Sequence, residues 1–271
     1  MNKESKPIGI FDSGIGGLTV LKEIYKQLPH ESTVYLGDTA RVPYGIRSPE
    51  TVTRYSFENT RFLFSKEVKM IVIACNTASS VSLESVRSSV SVPVIGVIEP
   101  GAKAAVAATK NRKIGVIGTE ATIKSNSYAK AILNIDKGIE VFGVACPLFV
   151  PLVEEGWTDG RIAEMTAEKY LQEIKHNGID TLVLGCTHYP LLKGILSQVM
   201  GGKVNLIDSA IETAGEIRTV LQDLSLLNSS GDEMIREFYV TDSPEKFKTV
   251  GERFLGENIH HIKKIKLEME V

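Results

Sequence analysis

The stretch IVIACNTAS, residues 71–79, decides the fold of this chain. It begins as an apolar run typical of a buried strand, which stops at Cys75, and Asn76-Thr77 followed by small residues can then begin a helix. A similar stretch, TLVLGCTHYP at residues 181–190, is also an apolar run that ends on a cysteine, Cys186. The sequence therefore predicts two cysteines at the carboxyl ends of two similar strands.

Strands and helices alternate along the first part of the chain. The predicted strands are PIGIFD at residues 7–12, VYLGD at 34–38, the run that ends at Cys75, and VPVIGVIE at 92–99. This alternation predicts right-handed βαβ crossovers and a mainly parallel sheet that is covered by helices on both faces. In such sheets ligands bind outside the carboxyl ends of the strands. The residues at these ends are Asp12, Asp38, Cys75 and Glu99.

The second half of the chain repeats this pattern. KIGVIGTEATI at residues 113–123 resembles PIGIFDSGIGG at residues 7–17, an offset of 106 residues. Cys186 follows Cys75 by 111 residues, so the offset is almost constant. We interpret the repeat as an internal duplication whose period is too long for a solenoid.

The duplication predicts two similar α/β lobes, each with a mainly parallel sheet flanked by helices, related by a pseudo-twofold axis. The active site is expected in the cleft between the lobes, where each lobe contributes one cysteine. We assign residues 1–98 and 210–271 to the first lobe, which carries Cys75, and residues 99–209 to the second lobe, which carries Cys186. The C-terminal part has no counterpart in the other half, so we expect it to pack back onto the first lobe.

Composition excludes several classes of protein. The chain has 271 residues, 43% hydrophobic and 24% charged, as in an ordinary globular protein. The net charge is -2 and no block of Lys and Arg stands out, so we expect no nucleic-acid partner. No apolar stretch approaches the roughly 18 residues that span a membrane, and the N-terminus lacks a signal-peptide core. Three cysteines without a C-x-x-C spacing argue against disulfides and predict a cytoplasmic protein.

The three cysteines have different expected roles. Cys146, followed by Pro147 at the end of an apolar run, is typical of an inert core thiol. Cys75 and Cys186 end their strands instead, where the N–H groups of a following helix favour a thiolate, and His188 would favour the Cys186 thiolate further. Zinc bound at Cys186-x-His188 is the main alternative, but it would need three or four ligands and no such set is apparent.

A glycine-rich loop, residues 13–17, follows the first predicted strand. A dinucleotide fingerprint needs a third glycine where this chain has Thr19, and Asp12 would repel a pyrophosphate. We expect the loop to let backbone amides approach a small anion such as a carboxylate. Asp12 itself is either a functional group or only a cap. Glu154 is typical of a solvated loop acid unless a partner such as His188 approaches it.

Several motifs resemble those of the glutamate racemases, a cofactor-independent group in the aspartate/glutamate racemase superfamily. They are FDSGIGGLTV, GDTARVPYG, ACNTAS, CPLFVPLVE and GCTHYPLL, and they occur in this order along nearly the whole chain. The resemblance implies interconversion of L- and D-glutamate, which supplies D-glutamate for bacterial peptidoglycan. It implies neither pyridoxal phosphate nor a metal as cofactor.

The resemblance also implies roles for individual residues. Cys75 is expected to deprotonate D-glutamate and Cys186 to deprotonate L-glutamate. Asp12 would assist the first thiol, and His188 with Glu154 behind it would assist the second. Reaction chemistry agrees, because inversion at Cα requires one acid/base group on each face. The expected substrate-binding residues are Asp12, Ser13, Pro43, Tyr44, Gly45, Asn76, Thr77, Thr119, Thr187 and His188.

Two alternatives stay open at this point. A related decarboxylase of the same superfamily would use one catalytic cysteine, which the presence of both Cys75 and Cys186 disfavours. A non-catalytic two-lobed protein that binds small amino acids would have buried, unreactive thiols. The expected partners are L- or D-glutamate and at most a second copy of the chain in a homodimer, with no nucleic acid and no membrane.

Overall fold

Two separate sheets form the framework of the chain in a computed structural model, which describes residues 3–229 and 234–267. The strand pairs in both sheets are parallel. The strands are β1 (Ile8–Asp12), β2 (Thr33–Gly37), β3 (Met70–Ile73), β4 (Val94–Gly96), β5 (Lys113–Gly118), β6 (Glu140–Ala145), β7 (Thr181–Gly185), β8 (Asn205–Asp208), β9 (Arg236–Val240) and β10 (Ile262–Lys264).

Helices alternate with the strands and pack against the sheets. The helices are α1 (Leu18–Gln27), α2 (Pro49–Ser65), α3 (Asn76–Arg87), α4 (Ile98–Ala108), α5 (Glu120–Lys124), α6 (Ser127–Ile135), α7 (Phe149–Glu154), α8 (Gly160–His176), α9 (Lys193–Met200), α10 (Ser209–Asp223) and α11 (Pro244–Leu255). Short 3-10 helices lie at Lys3–Ser5, Tyr44–Ile46 and Tyr189–Leu192. None of the helices within residues 3–229 and 234–267 is long and apolar enough to cross a membrane.

The two sheets share one strand order. The first sheet has the order β10-β9-β2-β1-β3-β4, and the second has the order β6-β5-β7-β8. The segment β2-β1-β3-β4 is therefore matched strand for strand by β6-β5-β7-β8, as the predicted internal duplication requires. The predicted fold class, two parallel-sheet α/β lobes flanked by helices, is confirmed.

The register of the strands brings equivalent residues to the same edge of each sheet. Extending the pairing of β1 with β3 by two positions places Ser13 level with Cys75. Extending the pairing of β5 with β7 by one position places Thr119 level with Cys186. Each cysteine thus lies at the carboxyl edge of its sheet, beside a residue that carries a hydroxyl group.

Buried side chains cover both faces of the first sheet. In β1, Ile8 and Ile10 belong to a hydrophobic cluster that continues into the second lobe, whereas Phe11 belongs to a smaller cluster on the other face. Strand β3 alternates in the same way, with Met70 and Val72 on the first face. The two sheets are therefore joined by a shared core.

The C-terminal part of the described chain adds strands to the first sheet. Strand β9 pairs with β2, and β10 pairs with β9, while α10 packs against α1 and α4. The exact lobe boundaries, after residues 98 and 209, stay predictions. Parts of the predicted first lobe, residues 1–2, 230–233 and 268–271, lie outside the described residues.

Two helix ends form where the local sequence predicts them. The Ser48 hydroxyl caps α2 by accepting a hydrogen bond from the Thr51 N–H at 3.3 Å, and Pro49 occupies the first helical position. Helix α8 ends at His176, and Gly178 follows it with a φ of 68°.

The strand predicted for residues 92–99 is wrong in its length. Only Val94–Gly96 is a strand, and α4 begins at Ile98. Glu99 therefore does not lie at a strand end but in the first turn of a helix, exposed and paired with Arg87 at 2.8 Å. The apolar run joins a buried strand to a buried helical turn, and hydrophobicity alone does not separate the two.

Candidate active site

A cavity of about 360 Å³ lies between the carboxyl edges of the two sheets, a size that suits a small ligand. From the first lobe its lining includes Ser13, Pro43, Tyr44, Gly45, Cys75, Asn76 and Thr77. From the second lobe the lining includes Thr119, Glu154, Cys186, Thr187 and His188. The structure thus brings together every predicted site residue on one surface except Asp12, which lies behind it.

Cys75 occupies the N-cap of α3, where backbone N–H groups of the first helical turn face the thiol. The Ala78 N–H and the Ser13 hydroxyl form hydrogen bonds with it. Burial raises the pKa of Cys75 to about 12, and the charge of Asp12 adds to this, while the Ala78 and Ser13 hydrogen bonds oppose it only in part. Cys75 is therefore a protonated thiol, and hence a proton donor, at neutral pH.

Asp12 lies next to Cys75 and is fully buried. Its Oδ2 accepts a hydrogen bond from the Gly14 N–H at 2.8 Å, whereas Oδ1 has no hydrogen-bond partner among the described residues. Burial raises the pKa of Asp12, and the loop N–H groups and the charge of His188 lower it only in part. This position suits a group that acts on the Cys75 thiol better than a group that touches a ligand.

Cys186 belongs to a chain of three side chains. Its Sγ lies 3.9 Å from Nδ1 of His188, and Nε2 of His188 lies 3.2 Å from Oε1 of Glu154. Burial lowers the pKa of His188, but hydrogen bonds with Cys186 and Glu154, together with the charges of Cys186 and Asp12, outweigh burial and raise it to about 10. The hydrogen bond with His188 lowers the pKa of Glu154. These three side chains can therefore hold an imidazolium between a thiolate and a carboxylate.

Comparison with known proteins identifies the family. The model of the Asp/Glu/Hydantoin racemase family matches residues 8–217. The chain belongs to this family. A glutamate racemase from Geobacter metallireducens is 54% identical over 265 residues, which make up 98% of this chain and 98% of that protein.

Solved structures of glutamate racemases match both lobes. The structure from Francisella tularensis, in complex with D-glutamate, has a TM-score of 0.92 at 40% identity and covers 98% of this chain and 99% of that chain. The structure from Escherichia coli, in complex with L-glutamate and the activator UDP-MurNAc-Ala, has a TM-score of 0.79 at 27% identity and covers 97% of this chain and 100% of that chain. The racemase fold of this chain therefore includes the C-terminal strands.

Helix α11 contributes to the site of this racemase-family chain, which the sequence did not indicate. The Phe254 ring contacts the His188 ring edge to face, with 5.2 Å between the ring centroids. The Arg253 guanidinium donates a hydrogen bond to the backbone carbonyl of Glu154 at 2.6 Å, and the Lys246 ammonium lies 3.7 Å from the Glu154 carboxylate. Because this segment has no counterpart in the other half, the repeat gave no signal for it.

The glycine loop of residues 13–17 brings the two lobes into close contact. A Cβ at Gly16 would lie 2.1 Å from Oγ1 of Thr187 and 2.6 Å from Nδ1 of His188, closer than side chains approach. The Thr19 hydroxyl donates a hydrogen bond to the Thr187 carbonyl at 3.0 Å. The lack of a side chain at Gly16 therefore lets the loop approach Thr187 and His188 of the second lobe, a contact that the sequence pattern does not indicate.

Other polar side chains hold the lining in place. Oγ1 of Thr77 lies 2.9 Å from Oγ1 of Thr119, so the two lobes also meet at the cavity wall. Asp38, which sequence reasoning had placed only at a strand end, accepts hydrogen bonds from the Tyr44 hydroxyl and from Nε of Arg41 at 2.6 Å. The loop that carries Tyr44 is thereby fixed to the first sheet.

Cys146 is buried and does not line the cavity, in keeping with the predicted inert thiol. No group of three or more His, Cys, Asp or Glu side chains in the described parts of the chain could hold a metal ion. The lining also includes six residues that the sequence had not singled out: Val42, Ile46, Glu120, Pro147, Val150 and Pro151.

Proposed function

We propose that this chain interconverts L- and D-glutamate by moving the Cα proton between two cysteines, without a cofactor. The observation that carries the proposal is that Cys75 and Cys186, which end equivalent strands of two matching sheets, line the same small cavity. Glutamate as the substrate is supported by the names of the relatives and by the ligands bound in the two solved structures.

In the direction from L- to D-glutamate, the Cys186 thiolate removes the Cα proton. The imidazolium of His188 stabilises that thiolate beforehand, and Glu154 holds the imidazolium in place. The Cys75 thiol then gives its proton to the opposite face of the carbanion, so the S–H bond of Cys75 breaks as the new Cα–H bond forms. Cys186 ends as a thiol and Cys75 as a thiolate.

In the reverse direction Cys75 must act as the base. The Ala78 N–H and the Ser13 hydroxyl stabilise its thiolate, and the buried carboxyl of Asp12, whose pKa burial raises, can hold the proton that the thiol gives up. The carbanion needs hydrogen-bond donors at the substrate carboxylate, because the Cα proton is very weakly acidic. Asn76, Thr77 and Thr187 line the cavity and supply such donors.

An isotope experiment tests the two-base proposal. Each glutamate enantiomer is incubated in D2O with the wild type, Cys75→Ala or Cys186→Ala, and optical rotation and α-deuterium are followed together. We expect each variant to lose racemisation by at least about 100-fold, because one proton transfer lacks its acid/base group. We expect Cys75→Ala to exchange only L-glutamate with retention, and Cys186→Ala to exchange only D-glutamate. A variant that racemises near the wild-type rate would overturn the proposal.

The proposal extends to the cell. D-glutamate from this reaction would supply peptidoglycan synthesis in the cytoplasm, so depletion of the chain in a strain that lacks another source should create a requirement for D-glutamate. Failure of D-glutamate to restore growth would contradict this role.

A homodimer stays a prediction, and sedimentation equilibrium measures it directly.

A further inference from the structure

Tyr128 connects the two lobes directly behind the cavity. It lies on α6 in the predicted second lobe, and its hydroxyl donates a hydrogen bond at 2.7 Å to Oδ1 of Asn76 at the start of α3. The Tyr128 side chain is buried and does not line the cavity, whereas Asn76 does. Tyr128 can therefore reach a ligand only through Asn76.

The Asn76 amide keeps one polar group free. Asn76 is only 3% exposed, and its Nδ2 has no hydrogen-bond partner among the described residues. An unpaired buried N–H group costs about 1–3 kcal/mol, so such a group is expected to find a partner. Because the amide is planar, fixing Oδ1 against Tyr128 directs the NH2 group to the other side, and Asn76 borders the cavity.

The hydrogen-bond pattern sets which way the amide faces. Burial raises the pKa of Tyr128, so its phenol stays protonated and can donate, and the Ser209 side chain also lies within hydrogen-bonding reach of the phenol. The phenol donates its one proton to Oδ1 of Asn76. Oδ1 then faces Tyr128, and a flipped amide would place two donors against each other.

Close packing fixes the ring that carries this hydroxyl. A Cβ at Gly101 would lie 3.3 Å from Cε1 of Tyr128, and a Cβ at Gly185 would lie 3.1 Å from Cε2. Gly185 directly precedes Cys186, so the ring rests against the strand end that carries the second thiol. The hydroxyl is therefore held in a defined position between the two cysteine-bearing elements.

We propose that Tyr128 is a positioning residue that holds the Asn76 amide with its NH2 group toward the cavity, where it donates a hydrogen bond to a carboxylate oxygen of the substrate. The proposal rests on the glutamate racemase activity proposed above. It adds a residue that touches no substrate and that belongs to the lobe opposite Asn76.

Steady-state kinetics of Tyr128→Phe test the proposal. Removing the hydroxyl frees the amide to rotate, so we expect KM to rise about 10-fold for both enantiomers while kcat changes less than about 3-fold, the pattern of lost uniform binding. Tyr25→Phe is the matched control, because it removes a phenol hydroxyl that contacts Thr33 at the opposite edge of the first sheet. Its KM should equal that of the wild type.

A double-mutant cycle separates positioning from general structural damage. Asn76→Ala should raise KM, and Tyr128→Phe should then add less than about 2-fold in that background, because the group it positions is absent. Additive effects, or an unchanged KM in Tyr128→Phe, would overturn the proposal. If Tyr128→Phe does not fold, Ser209→Ala takes its place in the same cycle. A wild type that does not racemise glutamate would refute the proposed function instead.

Discussion

The two thiols of the cavity have different helpers although they occupy equivalent strand ends. Cys75 has a buried carboxyl, Asp12, beside it, whereas Cys186 has the His188 imidazole at 3.9 Å and Glu154 behind that. The pKa of Cys75 is raised to about 12, and the pKa of His188 is raised to about 10. These shifts favour a state in which Cys75 holds a proton and His188 is charged, which is the state that the proposed mechanism requires for L-glutamate.

Single-turnover experiments test this division of roles. We expect His188→Asn to slow proton removal from L-glutamate by about 10- to 100-fold more than from D-glutamate, and Asp12→Asn to do the reverse. The measurement mixes excess enzyme with each α-labelled enantiomer and follows release of the label. His176→Asn, an exposed histidine on α8, is the control. Equal losses in both directions would contradict the assignment. The steady-state ratio of kcat/KM cannot serve here, since the equilibrium constant fixes it.

Gly16 tests the contact between the lobes at a single residue. In Gly16→Ala the new methyl group would overlap Thr187 and His188, so the side chains that carry Oγ1 of Thr187 and Nδ1 of His188 must shift. We expect kcat/KM to fall about 100-fold, as for an error of about 1 Å in catalytic geometry. Gly194→Ala is the control, because a Cβ there meets no atom within 4 Å. Thermal melting checks that both variants fold, and full activity of Gly16→Ala would show that the contact is not needed.

Sequence reasoning selected most of the polar residues that line the cavity, but not the contacts behind them. Cys75 and Cys186 were predicted from strand ends, and Glu154 was expected to matter only with a partner such as His188, which the structure provides at 3.2 Å. Tyr128 was missed, because a buried tyrosine on an amphipathic helix looks like an ordinary core residue. Its role depends on a contact between residues 52 positions apart, and no local pattern records that.

At the scale of elements, α11 connects the C-terminal segment to the row of side chains formed by Cys186, His188 and Glu154. Phe254 and Phe247 are both buried on this helix, but only Phe254 contacts His188, whereas Phe247 contacts Tyr35 and Phe238. The helix begins at Pro244, in keeping with the preference for proline in the first helical turn. The His188 ring that Phe254 contacts lies in the other lobe, and periodicity within one helix does not reveal that contact.

The two phenylalanines give a matched pair of variants. Phe254→Leu and Phe247→Leu should each lower stability by about 1–2 kcal/mol through imperfect packing. Only Phe254→Leu should also slow single-turnover proton removal from L-glutamate relative to D-glutamate, by about 5-fold, because His188 loses its edge contact. Urea denaturation measures the first effect and rapid-quench isotope release the second. If both variants had the same ratio of proton-removal rates for L- and D-glutamate, α11 would act only on stability.

At the scale of the whole molecule, the duplicated strand order explains how two cysteines face one cavity. The matching orders β2-β1-β3-β4 and β6-β5-β7-β8 place Cys75 and Cys186 at the carboxyl edges of two similar sheets. This part of the fold followed from the sequence, because the repeat preserves both apolar periodicity and the offset of the cysteines. The extra strands β9 and β10 break the symmetry, and they bring α11 to one thiol only.

A buried ion pair holds the segment after α10 against the first lobe. Nζ of Lys69 lies 2.5 Å from Oε2 of Glu31, and both side chains are 1% exposed. Lys69 also donates a hydrogen bond to the Leu226 carbonyl at 2.8 Å, and Glu31 accepts one from the Asn228 N–H at 2.9 Å. The pair thus joins two segments that precede the second lobe to the segment that follows α10.

Removing one partner of this pair should destabilise the whole molecule. We expect Lys69→Met to lower the free energy of unfolding by about 3–5 kcal/mol, because Glu31 would stay buried without a partner. Lys69→Met combined with Glu31→Leu should recover part of this loss, since no uncompensated charge then remains. Lys103→Met, which breaks the exposed pair with Glu216, should cost less than about 1 kcal/mol. Urea denaturation followed by circular dichroism measures all three. Equal costs for Lys69→Met and Lys103→Met would show that the C-terminal segment is held by apolar packing instead.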